Sequence, residues 1–330
     1  MTLREFADIP RRGERIAMVT AYDASSARLA ETAGIDVVLV GDSAAMTMLG
    51  HDSTVPVSMD EMIMLTRAVT RVTRRVLVVA DMPFGAYQSS DRQAVENAIR
   101  FVKEAGAHAV KLEGAGRTCR RIRAIGAAGV PVMGHVGLTP QSVTLLGGYR
   151  ARGRSAVEAR AIYDGARSLE RAGCFAVVLE AIAAPIAARI SDTLDIPTIG
   201  IGAGPDCDGQ VLVWHDLLGL TTGHVPRFVK PYASLAVTVA AALRAYASDV
   251  RERRFPGTEH EYRMADGERE SFEAELAAQA DAPGPGKTIR AGGAWTSSHL
   301  KQQALPECCA FGPSQTCARS SDRGETPDGR

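Results

Sequence analysis

The sequence predicts an α/β protein of the (β/α)8 barrel class, and three observations carry that expectation. Eight short apolar runs alternate with longer amphipathic segments over about 230 residues. Four of the runs end on a carboxylate: Asp42, Asp81, Glu113 and Glu180. The first run, Met-Val-Thr-Ala-Tyr-Asp23, is followed by no glycine-rich phosphate loop, which a doubly wound open sheet usually carries there.

The runs fall at 18–23, 37–42, 76–83, 109–113, 131–136, 176–180, 197–202 and, least regularly, 228–233. Each is short and rich in β-branched and aliphatic residues, the texture of a strand buried on both faces. The segments between them read as helices. Over 58–74, Ser58 and Glu61 form a capping box, and Met62, Leu65, Val69 and Val72 repeat at helical spacing. Ser90 and Gln93 open a second helix over 90–105, with Val95, Ile99 and Val102 on one face. Alanine-rich helices follow at 155–172 and 233–250. Glycine steps at 34–36, 106–107 and 129–130 mark helix ends that feed strands. The catalytic barrel is therefore expected over 1–264. Beyond 265, glycine, proline and serine become frequent, and 265–330 is expected to be a low-complexity, mostly disordered extension.

Composition narrows the function. Lys plus Arg equals Asp plus Glu at 38 each, so the charge balance does not favour nucleic acid or an anionic membrane. No apolar stretch approaches the length of a membrane span, and the N-terminus is charged. The cysteines at 119, 174, 207, 308, 309 and 317 make no CxxC pair. A cytoplasmic protein with reduced thiols is expected.

A charge at the end of a buried strand avoids the apolar middle, where desolvation would be severe. The four acids should thus gather at the rim formed by the strands' C-terminal ends, where barrel enzymes keep their chemistry. Lys111 and Glu113 are two apart and share a face. A cation and a carboxylate aimed into one cavity suit an anionic ligand beside a metal; the less favoured alternative is a structural Lys–Glu pair plugging the barrel. Asp42 and Asp81, at the ends of adjacent strands, suit a shared Mg²⁺, which takes one or two carboxylates and keeps several waters. Singly, each would also serve as a helix cap. His135 reads as a substrate or neighbouring contact rather than a base. Gly200-Ile-Gly202-Ala-Gly204 reads as a tight strand-end turn, because Pro205 stands where a dinucleotide fingerprint needs its third glycine.

The chain also resembles a known family. The matching strings are Thr20-Ala-Tyr-Asp23, Leu39-Val-Gly-Asp-Ser43, Gly50-His-Asp-Ser-Thr54, Ala80-Asp-Met-Pro-Phe84, Val110-Lys-Leu-Glu-Gly114 and Gly134-His-Val-Gly-Leu-Thr-Pro-Gln-Ser142. Later come Gly147-Gly-Tyr149, Val178-Leu-Glu180, Ile199-Gly-Ile-Gly-Ala-Gly204, Asp208-Gly-Gln210 and Phe228-Val-Lys230. In order and spacing, over about residues 3–260, they resemble the ketopantoate (3-methyl-2-oxobutanoate) hydroxymethyltransferase family. The resemblance implies a barrel of the phosphoenolpyruvate/pyruvate-type superfamily, a homo-oligomer (often a decamer), and a step of pantothenate synthesis. It implies Asp42 and Asp81 as Mg²⁺ ligands with Glu113 as a third metal-site acid. It also implies Ser43 and Lys111 as keto-acid contacts, Glu180 as proton acceptor, and 5,10-methylenetetrahydrofolate as co-substrate. Ala44-Ala45 and the proline placement in 181–186 depart from the family pattern. Two rivals stand beside this reading: a metal-dependent 2-oxo-acid carbon–carbon lyase of the same superfamily, and a silent barrel used as a scaffold.

Overall fold

The computed structural model describes residues 1–281 apart from His224. Eight parallel strands close a barrel in chain order. They are β1 (Ile16–Thr20), β2 (Val37–Val40), β3 (Leu77–Asp81), β4 (Ala109–Lys111), β5 (Val132–Gly137), β6 (Ala176–Glu180), β7 (Thr198–Ile201) and β8 (Gly209–Leu212). β8 pairs with β1 to shut the ring, with Ile16 opposite Gly209.

The period of two explains what the barrel holds. Ile16 and Met18, Val37 and Leu39, Leu77 and Val79, Ala109, Met133, Ala176 and Val178, Ile199 and Val211 form one buried interior cluster. Two residues further along the same faces, the apolar series gives way to Thr20, Asp81, Lys111, His135 and Glu180. The polar groups therefore lie in the layer above an apolar floor. A helix at Leu3–Arg11 stoppers the opposite end: Phe6 and Ile9 belong to the interior cluster, and Phe6 meets Phe175 edge to face at 5.6 Å.

The expected helices form at Met59–Thr70, Asp91–Ala105, Ala156–Arg171 and Leu235–Arg251. The Ser58–Glu61 capping box is complete. At the second helix the Ser90 hydroxyl accepts from Gln93 N, but the Gln93 side chain turns to Ser89 and Gly85 instead of reaching back. The apolar faces of the first three of these helices pack on the outside of the barrel in a second cluster that includes Met62, Val69, Phe101 and Leu169, to which Leu235–Arg251 contributes no buried residue.

One strand expectation is corrected. The eighth strand is Gly209–Leu212, and residues 228–233 are irregular. Pro226 and Pro231 flank Phe228-Val-Lys230 and remove ladder donors on both sides. Gly209 fits where no side chain would, since an added Cβ would lie 2.6 Å from the Ile16 carbonyl oxygen.

The chain divides into a compact unit, Met1–Phe255, and a second unit beginning at Pro256. The boundary expected after 264 falls inside the second unit. Residues Glu268–Asp281, expected to be irregular, form a helix. Their Glu, Ala and Leu content favours one even without an apolar stripe. The rest of the expected disordered tail, 282–330, lies outside the described residues.

Gly137, at the end of β5, has φ +101, and an added Cβ would strike the carbonyl of Glu180. Gly137→Ala is expected to cost roughly 2–4 kcal/mol through backbone strain and overpacking. A fall in the urea midpoint at constant m-value reads this out, and an unchanged midpoint contradicts it.

Candidate active site

The C-terminal mouth of the barrel collects every residue singled out above. Asp42, Asp81, Lys111, Glu113 and His135 are buried there, while Glu180 keeps 16% of its side chain exposed. Ser43 is half-buried, and its hydroxyl lies 2.9 Å from the Tyr22 hydroxyl.

Parallel registration sets the spacing. β3 and β4 place Asp81 opposite Lys111, and Lys111 Nζ lies 2.7 Å from Asp81 Oδ1. Lys111 therefore pairs with Asp81 and not with Glu113, contrary to a simple Lys111–Glu113 plug. Asp81 Oδ1 thus faces the Lys111 ammonium. Its Oδ2 accepts from the backbone N–H of Asp42 at 3.1 Å, so the two aspartates meet. Gly41 permits this approach, because an added Cβ would sit 2.8 Å from Ser43 Oγ and 3.5 Å from Asp81 Oδ2.

His135 spans two acids. Its Nδ1 lies 3.4 Å from Lys111 Nζ and 3.6 Å from Glu113 Oε1, and its Nε2 lies 3.4 Å from Glu180 Oε2. Beside an ammonium, Nδ1 serves as the acceptor, which leaves the ring proton on Nε2, facing Glu180. The imidazole is held neutral: burial, then the Lys111 charge, push its pKa well below the ordinary value.

The carboxylates shift the other way. Burial, then the Asp81 charge, raise Asp42 to about 7. Burial raises Asp81 against the pull of Lys111. Burial and the Asp42 charge raise Glu113 well above its usual range. Burial raises Glu180 to about 8. Burial disfavours the Lys111 charge, but Asp81, Glu113 and Asp42 together outweigh it, and Lys111 stays cationic. More carboxylates than cations share one dry mouth, an arrangement a divalent ion would relieve. Among the described residues no three His, Cys, Asp or Glu side chains form a ready cage. Two adjoining aspartates instead suit a hard cation that takes few protein ligands and keeps sites for water and substrate.

Two participants were not foreseen as site residues. Gln141 is buried and its Nε2 donates to Asp42 Oδ2 and to the Met82 carbonyl, both at 2.9 Å. Tyr87, also buried, donates its hydroxyl to Gln141 Oε1 at 2.7 Å. Gln141 sits in the longest string that resembles the family; nothing local marks Tyr87. Past β6, Ala181 takes φ 49, a left-handed conformation unusual for a residue with a side chain.

A family model described as Ketopantoate hydroxymethyltransferase matches residues 1–258. The chain belongs to the ketopantoate hydroxymethyltransferase family. A relative from Thermobifida fusca (strain YX), named 3-methyl-2-oxobutanoate hydroxymethyltransferase, is 54% identical over 79% of this chain and 93% of its own. One of the same name from Moorella thermoacetica is 56% identical over 80% of this chain and 98% of its own. Solved structures share the barrel at low identity. A 2,3-dimethylmalate lyase, a PEP mutase/isocitrate lyase superfamily member, superposes with TM-score 0.52 at 16% identity, covering 84% of this chain and 98% of its own. A phosphonopyruvate hydrolase, solved with oxalate and Mg²⁺, gives 0.53 at 15%, covering 86% and 99%. The hydroxymethyltransferase family match covers the whole barrel and stops short of the helix Glu268–Asp281.

Proposed function

We propose that the protein transfers a hydroxymethyl group from 5,10-methylenetetrahydrofolate to 3-methyl-2-oxobutanoate, giving 2-dehydropantoate for pantothenate synthesis. The observation that carries this is the mouth itself, where two adjoining aspartates and a buried lysine face a separate, raised-pKa glutamate.

The roles follow from the groups. Asp42 and Asp81 would hold a divalent cation such as Mg²⁺, with Glu113 near it as a further acid. When bound, that ion supplies Lewis-acid stabilisation of negative charge on the substrate's keto oxygen. Lys111 and the Ser43 hydroxyl neutralise and orient the substrate carboxylate. Glu180, once ionised, removes the proton from C3. His135 Nε2 lies 3.4 Å from Glu180 Oε2 without a hydrogen bond to it, and the neutral imidazole adds no charge that would lower the basicity of Glu180. The C3 carbanion forms the new carbon–carbon bond to the one-carbon unit, both of whose C–N bonds to folate break; water supplies the hydroxyl, and the C3 proton and one proton of water end on the two nitrogens of the departing tetrahydrofolate. A cytoplasmic homo-oligomer, a decamer by family likeness, completes the reading. The helix Leu235–Arg251 supports assembly, because it buries no residue and exposes Val237, Leu243 and Tyr246. Among the described residues no helix is long and apolar enough to cross a membrane.

An NMR assay with carbon-labelled keto acid tests the activity. 2-Dehydropantoate is expected only when both the divalent cation and methylenetetrahydrofolate are present. Carbon–carbon cleavage products formed without folate would instead make the protein a lyase.

A further inference from the structure

Gln141 ties together more of the mouth than any other side chain around it. It lies beyond β5 in the short turn Pro140–Ser142, yet it reaches the ends of three other strands. Its backbone N–H donates to Glu113 Oε2 at 3.0 Å, beyond β4. One hydrogen of Nε2 goes to Asp42 Oδ2, beyond β2, and the other to the Met82 carbonyl, beyond β3. Oε1 accepts from the Tyr87 hydroxyl and, at 3.4 Å, from Gln88 Nε2.

Two of these partners fix which way the amide points. The Met82 carbonyl can only accept, so the nitrogen must face it. A phenol and an amide N–H face the other end, so the oxygen must be there. Asp42 is therefore met by a donor. Tyr87 is itself anchored: its hydroxyl also accepts from Glu113 N at 3.2 Å, and Arg121 Nε donates to its carbonyl at 3.0 Å. The Gln88 side chain braces the same loop by accepting from Gly85 N at 2.8 Å.

We propose that Gln141 is a positioning residue, which with Tyr87 fixes the Asp42 carboxylate so that its other oxygen is presented for cation binding. This rests on Asp42 and Asp81 as cation ligands. A carboxylate on a short side chain has two torsions to lose on binding a cation. Holding one oxygen to a rigid amide removes that cost before the ion arrives. Neither Gln141 nor Tyr87 needs to touch the ion or the substrate.

Isothermal titration of Mn²⁺ into the full chain, without substrate, tests the proposal on the parent protein, Gln141→Met and Tyr87→Phe. Gln141→Met is expected to weaken Mn²⁺ about 10–100-fold, the usual effect of losing a partner behind a ligand. Tyr87→Phe should weaken it about two- to tenfold, the worth of one hydrogen bond. Turnover of Gln141→Met should climb back toward the parent rate as Mg²⁺ is raised to saturation. A purely structural role would lower turnover at every Mg²⁺ concentration and leave the Mn²⁺ affinity of the folded fraction alone. Parent-like Mn²⁺ affinity in folded Gln141→Met overturns the proposal, and if that variant does not fold, parent-like affinity in Tyr87→Phe does so. A parent protein that binds no Mn²⁺ removes the ligand reading of Asp42 and Asp81 itself, and the positioning role with it.

Discussion

Glu180→Gln is expected to abolish exchange of the C3 hydrogen of 3-methyl-2-oxobutanoate in D₂O while leaving keto-acid binding intact. The amide is nearly isosteric and keeps the reach of the side chain, but it cannot accept the proton. Removing a general base typically costs about 10²–10⁴-fold, and both exchange and transfer should fall by that amount. The raised pKa gives a second signature. Only the ionised form accepts a proton, so the parent's rate should rise with pH through a midpoint near 8, and the variant should lack that rise. Stability runs the other way. The folded protein holds a proton on Glu180 between 4.5 and about 8 that the unfolded chain has released. That contribution is intact below 4.5 and is lost as the pH climbs through about 8. Parent-like exchange in the variant would take Glu180 out of the role.

Asp42→Asn is expected to weaken divalent-cation binding by at least about a hundredfold, since even groups behind a ligand are worth 10–100-fold. Asp42 is the cleaner target of the two aspartates. Removing the Asp81 charge would strand the buried Lys111, at a cost of roughly 3–5 kcal/mol that would confuse lost binding with lost folding. Binding to the parent should also release a proton, because burial and Asp81 hold Asp42 at about 7 and a ligand carboxylate must be ionised. Proton release should therefore grow, and affinity fall, as the pH drops from about 8 to about 6. Titrations in buffers of different ionisation enthalpy measure it. Heats independent of buffer, or an Asn variant that binds like the parent, would contradict the assignment.

The acids were legible because a charge that ends an apolar run has few places to go. Once Val-Val-Ala-Asp81 and Val-Leu-Glu180 are strands of one parallel barrel, their ends must lie on the same rim. The pairing of Lys111 was not legible. Spacing along β4 ties it to Glu113, whereas registration against β3 hands it to Asp81, and registration is a property of two strands. The eighth strand escaped for the opposite reason: Gly-Gln-Val-Leu is short and begins with a glycine selected by closeness to Ile16. The string Gly134–Ser142 marked the neighbourhood of Gln141 but not its role, because that depends on the ends of β2, β3 and β4 arriving around it. The helix Leu3–Arg11 shows no sign in the sequence that its Phe6 and Ile9 face the inside of the barrel rather than its flank.

That helix has a consequence for traffic. With Phe6 and Ile9 sealing the lower end of an interior already packed with apolar side chains, a molecule that reaches Asp42 and Glu180 must come and go by the upper rim alone.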